Sequence, residues 1–186
     1  MDRWTALLGL LFLPALCGAQ SLPNDGTAAM SFNRSVSVPL NAVQLFDKAV
    51  EAWTWSFGRE PGAKLLRSDR EQGIIEGVSR LNFRSEMLTM REESMGVVSY
   101  HITIRIKPGE CTTQITELVH TGNRNTTLGG VHLGLLPKGD TPTQRTPGMG
   151  KANAQRLLME VKNTATTRIQ ALMAALESRL RAASEP

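Results

Sequence analysis

The sequence predicts an α+β domain in which one antiparallel sheet carries helices on a single face. Three observations predict it. A stretch of helical period, Ala42 to Phe57, precedes four strand candidates between Lys64 and His120, and a longer helical stretch begins at Lys151. The two best strands form a hairpin whose register separates apolar from polar side chains. Both helical stretches carry apolar stripes that must be covered, and the apolar face of the sheet is a broad surface able to cover them.

The elements follow in order. Residues 20–32 are polar and carry Gly and Pro, which makes them a flexible lead-in. From Asn33 to Val38 the chain alternates, with Val36 and Val38 on one side and Ser35 and Ser37 on the other. That is the pattern of a half-buried strand. Pro39 ends it, and the Asn41 carboxamide is suited to cap the next helix. Between Ala42 and Phe57, the residues Phe46, Ala49, Val50, Trp53 and Phe57 recur at spacings of three and four, opposite Asp47, Lys48, Glu51 and Thr54. Burying those five side chains yields roughly 8–10 kcal/mol gross. Ordering the segment costs more than that. The helix therefore needs a partner surface.

Lys64 to Ser68 reads as a strand, Asp69 to Gly73 as a turn, and Ile74 to Phe83 as a second strand. A polar connection through Glu92, Glu93 and Ser94 leads to Val97–Lys107 and Cys111–His120, joined by the turn signal Lys107-Pro108-Gly109-Glu110. If Ile106 faces Cys111, then Ile104 meets Thr113, Ile102 meets Ile115, and Val98 meets Val119. The opposite face then pairs Arg105 with Thr112, Thr103 with Gln114, and His101 with Thr116. A slip of one residue would destroy that separation.

Residues 121–150 are rich in Gly, Thr and Pro, and between Thr121 and Arg156 the cations Arg124, Lys138, Arg145, Lys151 and Arg156 stand against the single acid Asp140. They read as a solvated loop with a basic cast. From Lys151 to Leu180, Leu158, Val161, Ala165, Ile169, Leu172, Leu176 and Leu180 form one stripe, supported by alanines of high helix preference. The boundaries are then 1–19, 20–32, 33–120, 121–150 and 151–182. Periodicity does not say whether the last helix lies on the sheet or on a partner.

The first of these segments has the form of a secretory signal peptide. Arg3 precedes an apolar run from Ala6 to Leu16, and Cys17-Gly18-Ala19 closes it with small residues, which places cleavage between Ala19 and Gln20. The run is shorter than the roughly 20 residues a bilayer demands, and no later stretch is long and apolar enough to span one. Leu16 argues against lipid anchoring at Cys17, because bacterial lipidation favours a small residue there. The chain of 186 residues would lose its leader and keep a net charge of +4, since Asp2 and Arg3 leave together. Cys111 would then be the one remaining cysteine, so a core rather than disulfides must hold the fold. A secreted or periplasmic address follows, distant from ATP, NAD and the genome.

Several local strings resemble the secreted family known as domain of unknown function 4468, described as having a TBP-like fold. They are Val38-Pro39, Leu45-Phe46-Asp47-Lys48-Ala49 with Trp53, the stretch Asp69–Gly77 with its Gly-Ile-Ile-Glu-Gly string, and Tyr100-His101-Ile102-Thr103-Ile104 through Pro108-Gly109. The likeness covers about Asn33 to His120. It implies a Gram-negative cell-envelope protein with a strand–helix–four-strand–helix half-saddle, and it brings no catalytic residues with it.

Chemistry-bearing residues are sparse. Gly-x-Ser-x-Gly, zinc-protease and phosphate-loop strings are absent. His101 and His120 are expected on the polar face but too far apart to share a metal, His132 has no partner in view, and no cofactor is implied. Cys111, opposite Ile106, reads as a buried apolar residue. Trp53 belongs to the core stripe, while Trp55 points elsewhere on the helix. The constellation with most promise is the polar face itself: His101, Thr103, Arg105, Thr112, Gln114 and Thr116. It is either an ordinary solvated sheet face or a docking surface for an anionic or hydroxyl-rich polymer or an envelope protein. A non-catalytic binding or structural module is the leading expectation. A hydrolase with a dispersed site at Glu92, His101 and Arg105 is the alternative. Nucleic-acid binding ranks lower, because the face lacks aromatics on which bases could stack.

Overall fold

The computed structural model describes residues 28–87, 94–126 and 129–183. The elements are β1 (Phe32–Ser37), α1 (Ala42–Trp55), β2 (Lys64–Asp69), β3 (Ile74–Phe83), β4 (Gly96–Lys107), β5 (Glu110–Gly122), β6 (Gly134–Leu135) and α2 (Lys151–Ala182). The strands form one open antiparallel sheet in the order β1-β5-β4-β3-β2, with β6 added to β5. β1 pairs with residues 110–115 of β5 and β6 with Val119 and His120, so the two short strands share one edge. Both helices pack on one face. The signal-peptide residues with Ala19 and Gln20, most of the lead-in, and Glu92–Glu93 lie outside the described residues.

Helix α1 starts where its cap predicts: the Asn41 side chain accepts a hydrogen bond from the Gln44 N–H at 2.9 Å. Its stripe of Leu45, Phe46, Ala49, Ala52 and Trp53 is buried, and Phe57 is buried in the 3-10 turn (Phe57–Arg59) that follows. The Gly-Ile-Ile-Glu-Gly string has a steric explanation at both ends. Gly73 has φ +63°, and a Cβ there would stand 2.4 Å from the Ile106 carbonyl oxygen. A Cβ on Gly77 would stand 2.4 Å from Cη2 of Trp53, so the indole rests directly on the β3 backbone. The turn between β2 and β3 is held by Asp69, whose carboxylate accepts from the Gln72 N–H at 2.9 Å.

Helix α2 settles the question its periodicity left open. It packs on the sheet and on α1, burying Leu157, Leu158, Val161, Ala165, Ile169, Leu172, Met173, Leu176 and Leu180. Polar ties fix its position along its length. Glu160 accepts from the Ser85 hydroxyl at 2.6 Å and the Glu86 N–H at 2.5 Å. Lys162 donates to the Lys138 and Gly139 carbonyls and to Asp140. Arg168 forks onto the buried Glu60 carboxylate, and Glu177 pairs with Arg34 on β1 at 3.3 Å.

Two expectations need correction. Residues 121–150 are not merely a solvated loop: β5 runs on to Gly122, Gly134–Leu135 form β6, and Val131, Leu133 and Leu136 are buried. The apolar run Val131–Leu136 supplies the material. Backbone bonds from Met30 to Leu136 and from Lys138 to Ala28 stitch it to the chain before β1. The hairpin register also holds only in part. Ile106, Ile104 and Ile102 meet Cys111, Thr113 and Ile115 as expected, but Val98 meets His120 rather than Val119. A bulge at Glu117, whose φ is +55°, inserts one residue into β5 and reverses its alternation. Leu118 and His120 thereby turn inward.

Candidate functional site

The uncovered face of the sheet is built by the residues that alternate away from the helices. In register across the strands, Arg105 lies between Ile74 and Thr112, Thr103 between Glu76 and Gln114, and His101 between Val78 and Thr116. β1 extends two of these rows with Ser35 beside Thr112 and Asn33 beside Gln114. All six residues expected on the polar face therefore do share it. Arg105 is exposed, His101, Thr112, Gln114 and Thr116 are half-buried, and Thr103 is buried between its neighbours.

Local bonds order the array. The Ser35 and Thr112 hydroxyls share a hydrogen bond at 2.7 Å, and Arg105 donates from Nη1 to Oε1 of Gln114 at 3.3 Å. Arg105 has no carboxylate partner among the described residues. Strands β2 and β3 widen the charged surface: Arg67 stands opposite Glu76 and Lys64 opposite Val78, and Arg80 alternates onto the same face. Arg67 also bonds Asp69 at 2.7 Å and Gln72 at 2.6 Å. The Gln72 N–H and the Arg67 guanidinium hold the Asp69 carboxyl below its ordinary range. The face is thus a mixed patch with a cationic excess. Sequence reasoning missed Lys64 and Arg67 because their placement depends on the β2–β3 register.

The histidines part company. His101 is on the open face, but the bulge sends His120 into the core, where it is 1% exposed. Its Nδ1 accepts from the Leu133 N–H at 3.4 Å, which leaves the proton on Nε2, and Nε2 has no partner among the described residues. The ring meets Phe83 edge-on at 5.7 Å. Burial, and then the charge of nearby His132, push its pKa down to about 4. His132 accepts from the Gly122 N–H at 3.1 Å. Among the described residues, no group of three or more His, Cys, Asp and Glu gathers as a metal site would require.

Other groups match their reading or fall elsewhere. Cys111 is fully buried opposite Ile106, and burial pushes its thiol up to about 12. That holds it as the unreactive thiol rather than a thiolate nucleophile. His101 and Arg105 stand four residues apart along β4 on the open face, while Glu92 lies outside the described residues. Trp55 is 45% exposed, with the guanidinium of Arg59 4.3 Å and that of Arg179 5.4 Å from its ring. A polar pair that sequence reasoning missed is Tyr100 and Ser79, buried side by side across β3 and β4. Burial pushes the Tyr100 phenol up to about 12. Among the described residues, no helix is long and apolar enough to cross a membrane.

No family model matches the chain, and no curated protein matches it in sequence. Solved structures do match it in shape. A DUF4468 family protein from Bacteroides ovatus superposes with a TM-score of 0.50 at 19% identity, over 80% of this chain and 86% of that one. A TBP-like protein from Parabacteroides distasonis superposes with a TM-score of 0.53 at 11% identity, over 84% of this chain and 96% of its own. At such identities the likeness speaks for architecture and not for chemistry. The chain has a TBP-like α+β fold, shared in shape with the DUF4468 family structure, as the strings around Trp53, Gly77 and Pro108-Gly109 implied.

Proposed function

We propose that this chain is a non-catalytic binding or structural module of a bacterial cell envelope, acting in the periplasm or outside the cell. Its open sheet face would dock an anionic, hydroxyl-rich envelope polymer. The observation that carries this reading is the face itself. It is the side of the sheet that neither helix covers, a row of hydroxyls and amides with the exposed guanidinium of Arg105 free of any carboxylate among the described residues. Fixed donors at sheet spacing suit a repeating chain of hydroxyl and anionic groups, and the surrounding Lys64, Arg67 and Arg80 favour negative charge. The signal-peptide form of the first nineteen residues supports such an address.

The test is a thermal-shift panel of peptidoglycan fragments, lipopolysaccharide and neutral glycans. A ligand at about 100 times its Kd stabilises by roughly 2.7 kcal/mol, a readily seen shift. A hit among the anionic polymers is expected to weaken with salt and to vanish in Arg105→Glu, whose own melting temperature should match the parent. Undiminished binding by Arg105→Glu would remove the sheet face from consideration.

A further inference from the structure

We propose that the cleft at the end of the sheet remote from the Pro108-Gly109 turn is a second binding site, for an acidic sugar: a pyranose that carries a carboxylate or a phosphate. The last row of the open face pairs Asn82 with Val97 and Val97 with Thr121. One step further along, Gly96 of β4 faces Gly122 of β5, and with no side chains there the cleft is lined by backbone. The strands end at this point, and the segments leaving them contribute Arg84 and Arg124 to the lining. The cleft encloses about 470 Å³, within the range of about 300–1,000 Å³ that small-molecule sites occupy. It contains none of the six residues of the docking face, and binding here does not require that face.

The lining selects the ligand class. Arg84 and Arg124 are exposed, and neither pairs with a carboxylate among the described residues. No acid among the described residues lines the cleft. Two such guanidiniums suit an oxyanion, which each can grip with two parallel N–H bonds. The segment that carries Arg124 is tied on both sides. The Asn123 N–H donates to the Met95 carbonyl at 2.7 Å, and the Asn125 N–H donates to the Asn123 side-chain oxygen at 3.0 Å. Its backbone is therefore ordered before any ligand arrives, which lowers the cost of binding. Beside the charges, Asn82 and Thr121 supply an amide and a hydroxyl, while the half-buried Met95 and Val97 supply apolar surface. Cations, hydrogen-bonding groups and an apolar patch in one cleft match a pyranose, which has hydroxyl edges and C–H faces. A free inorganic anion would leave the amide and the apolar patch unused. A fatty acid would leave the amide and hydroxyl unused.

The site is tested on the full chain by amide NMR and calorimetry with galacturonic acid and glucose 6-phosphate. Galactose, acetate and inorganic phosphate at equal ionic strength are the comparisons. Shifts centred on Asn82, Val97 and Thr121–Asn125 are expected. At least one acidic sugar should bind about tenfold more tightly than galactose and than its own free anion, and the tighter of the two identifies the oxyanion. Arg84→Glu and Arg124→Glu should each weaken that binding by about tenfold or more. Both should keep the parental melting temperature, since each side chain is exposed and unpaired. Asn82→Ala should weaken the acidic sugar about fivefold and leave the free anions unchanged. Arg105→Glu should leave this binding intact, which separates the cleft from polymer docking on the sheet face. Retention of parental affinity in both Arg84→Glu and Arg124→Glu would overturn the proposal. So would free anions or galactose that bind as tightly as the acidic sugars, or no shift beyond that of chloride at tens of millimolar probe.

Discussion

The two faces of this sheet are made from the same strands by alternate residues, yet they have different physical duties. The covered face carries Ile75, Ile102, Ile104, Cys111 and Ile115, each fully buried beneath α1 and α2. The open face carries His101, Arg105, Thr112 and Gln114, which rest mostly on solvent and on one another. Fold energy is therefore concentrated on one side, and the other is available for recognition. Cutting into each face should expose the difference. Ile102→Ala is expected to cost about 2–5 kcal/mol in urea unfolding, because Ile102 sits between Gly77 and Ile115 with no exposure. Thr116→Ala, next to His101 on the open face, should stay within about 0.5 kcal/mol of the parent. Equal costs at the two sites would mean that the open face is part of the core.

The covered face also has a polar weakness at His120. In the fold its pKa is about 4, while in the unfolded chain it returns to about 6.5. The unfolded state then binds the proton more readily, so acid favours unfolding. The neutral ring's contribution is complete above about pH 6.5 and is lost as the pH falls toward 4. The full loss amounts to about 3 kcal/mol. Unfolding free energies measured across that window for the parent and His120→Gln isolate this residue from the carboxylates that titrate nearby. The parent should lose stability more steeply. Parallel curves would mean that His120 is charged, or solvated, in the folded protein.

What the sequence revealed and what it concealed divide along local and non-local lines. The Asn41 cap, the α1 stripe, the Pro108-Gly109 turn and the first half of the hairpin depend on neighbours within a few residues, and each was legible. So was the gathering of His101, Thr103, Arg105, Thr112, Gln114 and Thr116, because period-two alternation fixes a face once the turn is known. β6 was missed because Val131–Leu136 is a short apolar run broken by His132 and Gly134, and its strand character arises only from pairing with Val119 and His120. Lys64 and Arg67 were missed because β2 itself is bulged between Leu65 and Arg67.

A smaller effect than that of His120 bears on the bulge that separates the two halves of β5. Before Glu117 the odd residues Cys111, Thr113 and Ile115 face inward, and after it the even residues Leu118 and His120 do. Nothing in the sequence at 117 announces this, since the position favours glycine and holds glutamate at φ +55°. Left-handed backbone costs a side-chain-bearing residue about 1–2 kcal/mol. Glu117→Gly removes that strain but frees the unfolded chain, which offsets about 0.4–1 kcal/mol. The variant should therefore be unchanged or more stable by up to about 1 kcal/mol, with the Leu133 N–H still bonded to His120. Glu117→Val sharpens the point. A β-branched side chain resists positive φ, so it should destabilise the fold by about 1–2 kcal/mol. It should also favour the regular register in which Val98 meets Val119 and His120 swings to the open face. An imidazole pKa that rises toward 6.5 in that variant would show that the bulge is what places His120 in the core. An unchanged value would assign that role to β6 instead.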